Sequence, residues 1–109
     1  INADLANKVF PLERLSLELR RKYPHSVPFT GTGHPDFSRY ATKKVKIEMT
    51  GDHYIDTKLA NTHVGYKKTP DGYTWHHHHD GETMMLVPWD LHVAVKHTGG
   101  VAIIKNSKN

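Results

Sequence analysis

The segment YTWHHHHDGETMMLVPWDLHVAVKHTGG, residues 73–100, constrains the fold of this chain more than any other. Tyr73-Thr74-Trp75 opens an aromatic, β-prone run, and His79-Asp80-Gly81-Glu82 supplies turn chemistry. Thr83 to Val87 then forms a second strand, which Pro88 ends. Trp89 to Lys96 reads as a short helix carrying Leu91, Val93, Ala94 and Val95, with Gly99-Gly100 as its stop. Four consecutive histidines, His76 to His79, sit where the first strand enters the turn. Strand, turn, strand and helix, with histidines on the first strand and on the helix, form a compact arrangement for holding a metal ion.

The upstream residues supply the scaffold. Pro11 to Arg21 predicts a helix with Pro11 at its first position, Leu12, Leu15 and Leu19 on one face, and Arg20, Arg21 and Lys22 complementing its dipole. This basic cluster is better read as a solvated helix end than as a phosphate contact. From Pro24 to Pro35 the chain is loop-like, and Gly31-Thr32-Gly33 is a turn, because no strand precedes it and neither phosphate-loop spacing is complete. Lys44 to Met49 alternates, so Val45, Ile47 and Met49 should face a core from a strand. Asp52 should cap a helix to about Val64, with Ile55 and Leu59 inward and Gly65 as the stop, before the basic turn Lys67 to Gly72. At 109 residues the expected fold is a small single α+β domain. Residues 1–33 form a helix and loop, 34–72 a helical and strand region, 73–100 the ββα motif and 101–109 a tail.

Without cysteine, disulfides and thiolate zinc sites are excluded, so any metal must be held by His, carboxylate or water. Fifteen Lys+Arg against 11 Asp+Glu gives a net charge of +4, compatible with a polyanionic partner but reached by ordinary soluble domains too. No apolar run is long enough to span a bilayer. The start at Ile1 suggests a piece of a longer protein or an expressed fragment.

Neutral imidazole is the commonest metal ligand, and three imidazoles plus water leave an open coordination position of the kind catalytic sites need. A nearby imidazole that is not a ligand can deprotonate water as a general base. Polarising cation, base and positive surface together suit phosphodiester hydrolysis. His92 and His97 are five residues apart, which on one helix is about 140° beyond a full turn. Their convergence requires the helix to end near Lys96 and the chain to bend back.

The Trp-His-His triplet, the Leu-Val-Pro strand exit, the Asp-Leu-His helix and the terminal His-Thr-Gly-Gly resemble the WHH family of bacterial toxin nucleases, in the HNH/endonuclease VII (ββα-metal, His-Me finger) superfamily. HPDFSRYA and LANTHVGYKKTPDGYTW resemble it more loosely, so the likeness covers roughly residues 34–100. The resemblance implies a ββα-metal finger packed on the N-terminal helices and a strand. It makes His77 the general base and His76, His92 and His97 the ligands of one divalent cation, Zn, Mg, Mn or Ni. It also implies a DNA substrate, with RNA as the alternative. Family members act as toxin domains delivered into the cytoplasm of a target cell, each neutralised by an immunity protein, here expected to be acidic. Met85 stands where the family pattern suggests Gln, and His79 where another polar residue is commoner. The asparagine that names the HNH motif has no obvious counterpart, Thr83 being the nearest candidate.

The other residues divide between chemistry and packing. His78 shares a strand face with His76, which admits a substrate contact; otherwise His78 and His79 are turn residues. Lys67 and Lys68, just before the first strand of the motif, suit phosphate contact as well as they suit a solvated loop, and Arg39 is a further candidate. Trp75 and Trp89 are better read as packing residues than as base-stacking platforms, and His34 and Asp36 as a structural turn. A metal-dependent module that holds nucleic acid without cutting it is the alternative from another functional class.

Overall fold

The computed structural model describes residues 3–98. They comprise α1 (Leu17–Lys22), β1 (Lys43–Lys46), α2 (His53–His63), β2 (Tyr73–His77), β3 (Thr83–Pro88) and α3 (Trp89–Thr98). The α+β class expected from the sequence is the one observed. The chain forms two compact units: residues up to Arg39 together with those from Asp90, and Tyr40–Trp89.

Tyr40–Trp89 is built on a three-stranded antiparallel sheet in the order β1-β3-β2. Its central strand is the continuous apolar run Met84-Met85-Leu86-Val87, buried at all four positions, as a strand occluded on both faces should be. Register sets the faces. Val45, Met84 and His77 form one rung, and Lys44, Met85 and His76 the next, so His76 and His77 project to opposite faces. Trp75 lies on the same face as His77, where it packs with Ala60, Met84 and Leu86. Val45, Ile47 and Met49 flank this cluster, as their alternation predicts, although β1 pairs only as far as Lys46. Burying Trp75 and Leu86 here contributes on the order of 2–3 kcal/mol each before entropy is counted.

The helix beside this face starts and stops where the sequence predicts. The Asp52 carboxylate accepts from the Ile55 N–H at 3.0 Å, and Gly65, at φ +80°, follows the last turn. Its inward face is not the expected one. Ile55 and Leu59 are 45% and 39% exposed, while Asp56, Ala60 and Asn61 are buried. Hydrophobic periodicity assigns the inward stripe to apolar side chains; here two polar ones take it because both find partners.

In the other unit, residues 7–10 run antiparallel to 27–30, joined by hydrogen bonds such as Phe10 N–H to Val27 O at 2.8 Å. Phe10, Val27, Phe29 and Phe37 are buried there, as are Leu91 and Val95, which lie one turn apart on α3. The single helix expected over Pro11 to Arg21 is two pieces, a 3-10 turn at Leu12–Arg14 and then α1. Leu15 is extended (φ −92°, ψ 148°) and Ser16 caps α1, its side chain accepting from Leu19 N–H, so the break follows from a good N-cap inside the apolar pattern. Gly31 to Gly33 do form a turn, with Gly33 N–H bonded to Thr30 O.

Two expectations about α3 are corrected. Trp89 is 56% exposed rather than packed, because it precedes Leu91 by two residues, about 200° around the helix from that buried position. The helix also runs to Thr98 rather than ending near Lys96, since no breaker occurs before Gly99, so the backbone does not bend back at His97.

Candidate active site

Trp75 and His77 point from β2 toward α2, and each meets a polar side chain of that helix. Trp75 Nε1–H donates to Asn61 Oδ1 at 2.7 Å, and Asn61 Nδ2–H donates to Thr69 Oγ1. His77 Nε2 lies 2.8 Å from Asp56 Oδ2. The Asp56 side chain is wholly buried, whereas 31% of the His77 side chain remains exposed.

Asp56 also collects donors from the loop before α2. Thr50 N–H and Oγ1–H donate to Oδ1 at 2.9 and 2.8 Å, and Gly51 N–H donates to Oδ2 at 3.1 Å. Gly51 takes φ +89°, a conformation glycine adopts at little cost and one that turns its N–H inward. Burial alone would raise the Asp56 carboxyl pKa. The Thr50 N–H, the His77 imidazole, the Thr50 hydroxyl and the Gly51 N–H outweigh it and hold the group well below the usual carboxylate range. An ionised carboxylate only accepts, so the shared proton resides on His77 Nε2. The His53 ring lies 5.7 Å from that of His77.

His76 is half-buried on the opposite face of β2. His78 lies beyond the end of β2, its N–H bonded to Thr83 O, with its ring 4.0 Å from that of His79. Thr83 is committed to the hairpin tip, where its hydroxyl and N–H both donate to Asp80. In the other unit, His92 is half-buried with its ring 5.3 Å from that of Phe37. The backbone of His97 belongs to α3, and its side chain lies outside the described residues. Lys67, Lys68 and Arg39 are exposed. His34 and Asp36 act in turns, bonding Thr32 Oγ1 and the Ser38 N–H respectively. Among the described residues no three His, Asp or Glu side chains are gathered closely enough to hold a metal ion.

Asp56 is the residue that sequence reasoning missed. A signal existed: on the helix that Asp52 caps, Asp56, Ala60 and Val64 recur at four-residue steps, and a carboxylate on such a stripe demands donors. Recognising it requires the phase of the helix, which the apolar Ile55 and Leu59 misreport.

A comparison with curated proteins gave no match. A family model does match: WHH, described as a nuclease of the HNH/ENDO VII superfamily with conserved WHH, over residues 65–107. The matched stretch takes in Trp75, His76 and His77, the whole β2–β3 hairpin and α3. That match, over 43 of the 109 residues, supports a nuclease that hydrolyses phosphodiester bonds.

Proposed function

We propose that the protein is a metal-dependent endonuclease acting on DNA, with His77 as its general base. The observation that carries this reading is the His77 ring itself. Its Nε2–H is held by a buried carboxylate, its side chain is partly open, and Nδ1 has no hydrogen-bond partner among the described residues. In the proposed step a proton passes from water to Nδ1 while the water oxygen forms a bond to the scissile phosphorus. The bond from phosphorus to the 3′ oxygen breaks with its electron pair on that oxygen, which then takes a proton from solvent.

Nucleases of this superfamily are generally metal-dependent. The donors of this chain suit that requirement, since imidazoles in a cysteine-free sequence favour borderline cations such as zinc or nickel. The family resemblance assigns the cation to His76, His92 and His97. Because α3 continues through His97, His92 and His97 stand about 140° apart around it, and metal titration of the separate variants tests each of them as a ligand. When bound, such a cation supplies stabilisation of charge on the phosphate and on the leaving oxygen. The exposed Lys67 and Lys68 at the entry to β2, with Arg39 as a further contact, are suited to the phosphate backbone, and a net charge of +4 favours approach to nucleic acid. Thr83 and His78 serve the hairpin rather than the substrate in this reading.

The biological setting follows the same resemblance. The domain acts as a toxin in competition between bacteria, delivered into the cytoplasm of a target cell, and the producing cell protects itself with an acidic immunity protein. No helix of the described residues is long and apolar enough to cross a membrane. Plasmid DNA and total RNA, incubated side by side with the protein in the presence and absence of chelator, test the proposal. Chelator-sensitive cutting of plasmid supports it. Cutting of RNA alone assigns the same site to an RNase, and binding without cutting marks a non-catalytic module.

A further inference from the structure

We propose that Asp56 is the positioning residue of the general base: its carboxylate takes the Nε2 proton of His77, fixes the ring, and leaves Nδ1 as the proton-accepting atom. This rests on the reading of His77 as the base.

The geometry of the carboxylate carries the argument. Each oxygen accepts two hydrogen bonds, Oδ1 from Thr50 N–H and Oγ1–H, Oδ2 from Gly51 N–H and His77 Nε2–H. A carboxylate offers about four such acceptor directions, so Asp56 has none to spare and cannot turn away from the ring. The buried end of the pair is therefore rigid and the histidine end is partly open, with 0% and 31% side-chain exposure. An acceptor-only partner at Nε2 dictates the tautomer, and it stabilises the imidazolium formed once Nδ1 has taken a proton. A base oriented by a third group in this way is the general logic of activated sites.

A purely structural Asp56, tying the Thr50-Gly51 loop to β2, would affect stability and nothing else. Two measurements separate the roles. In the wild-type protein, the ring-nitrogen NMR signals of His77 should show Nε2 protonated and Nδ1 bare at neutral pH; the reverse tautomer would overturn the proposal without any variant. In Asp56→Asn the amide presents a donor toward Nε2, so the tautomer should invert and kcat for plasmid cleavage should fall by about 10²–10⁴-fold with KM unchanged. Assays run well below the variant's melting midpoint keep folding out of the comparison. Asn61→Ala disturbs the same helix without touching the Asp56 carboxylate, so it should lower the midpoint while kcat stays at the wild-type value. Wild-type kcat in folded Asp56→Asn overturns the positioning role. Wild-type cleavage by His77→Ala would instead remove the general base itself, a distinguishable failure.

Discussion

Two links join β2 to α2, two residues apart on the strand and on the same face, and they differ in what they leave open. At the Trp75 link both partners are sealed: Trp75 is 1% exposed, Asn61 6%, and the Asn61 amide is spent on Trp75 and Thr69. At the His77 link only the carboxylate is sealed. A buried amide–indole pair satisfies polar atoms inside a core and can do no more. A buried carboxylate bonded to a partly exposed imidazole instead holds the ring with one edge open to solvent. The same strand, repeated every second residue, carries a sealed packing contact at one position and a partly exposed imidazole at the next.

Substitutions should separate the two links, and the largest effects belong to the histidines. His76→Ala, on the opposite face from both links, should lose bound metal and cleavage together, checked by calorimetric titration with zinc and by plasmid nicking. His92→Ala or His97→Ala should weaken zinc affinity in the same titration, because each removes one of three expected imidazoles. Unchanged affinity would remove that residue from the ligand set.

The Trp75 link should answer in stability. Asn61→Ala strands the buried Trp75 Nε1–H, which costs about 1–3 kcal/mol and should lower the melting midpoint by several degrees. Cleavage per folded molecule should stay near wild type. If Asn61→Ala abolished cleavage while folded, the distinction between the links would collapse.

Effects at the hairpin tip should be smaller. His78→Ala and His79→Ala should retain both metal and cleavage, since both residues lie beyond the end of β2. Burial would raise the Asp80 carboxyl pKa. The Thr83 hydroxyl, the Glu82 and Thr83 N–H groups and the nearby His78 together lower it to about 2. A depressed folded value stabilises the protein above the unfolded pKa of about 3.9 and stops doing so as pH falls through the folded value. The melting midpoints of wild type and Asp80→Asn should therefore differ slightly at neutral pH and converge between about pH 4 and 2. The difference is small because Asp80 is exposed and screened.

The hairpin and the start of α3 were legible because their signals are local. The Asp80-Gly81 turn, the Met84–Val87 run and Pro88 need no knowledge of distant residues. The Asp52 cap and the Gly65 stop were legible for the same reason. What the sequence obscured depends on tertiary context. The break at Leu15 is hidden because Leu12, Leu15 and Leu19 keep helical spacing across it. The inward stripe of α2 is hidden because its members are Asp56 and Asn61, whose partners Thr50, His77 and Trp75 come from other elements. The family resemblance made His77 the candidate base, but the carboxylate bonded to its ring stands 21 positions earlier in the chain.

The central claim is that the open end of the β2–α2 contact performs the chemistry. Plasmid nicking by His77→Ala, with bound metal and melting midpoint measured on the same preparation, tests it most directly. The account predicts a folded, metal-binding protein whose cleavage has fallen by about 10²–10⁴-fold, the contribution of a positioned general base. Cleavage at the wild-type rate by that variant, with metal bound and the fold intact, would contradict it.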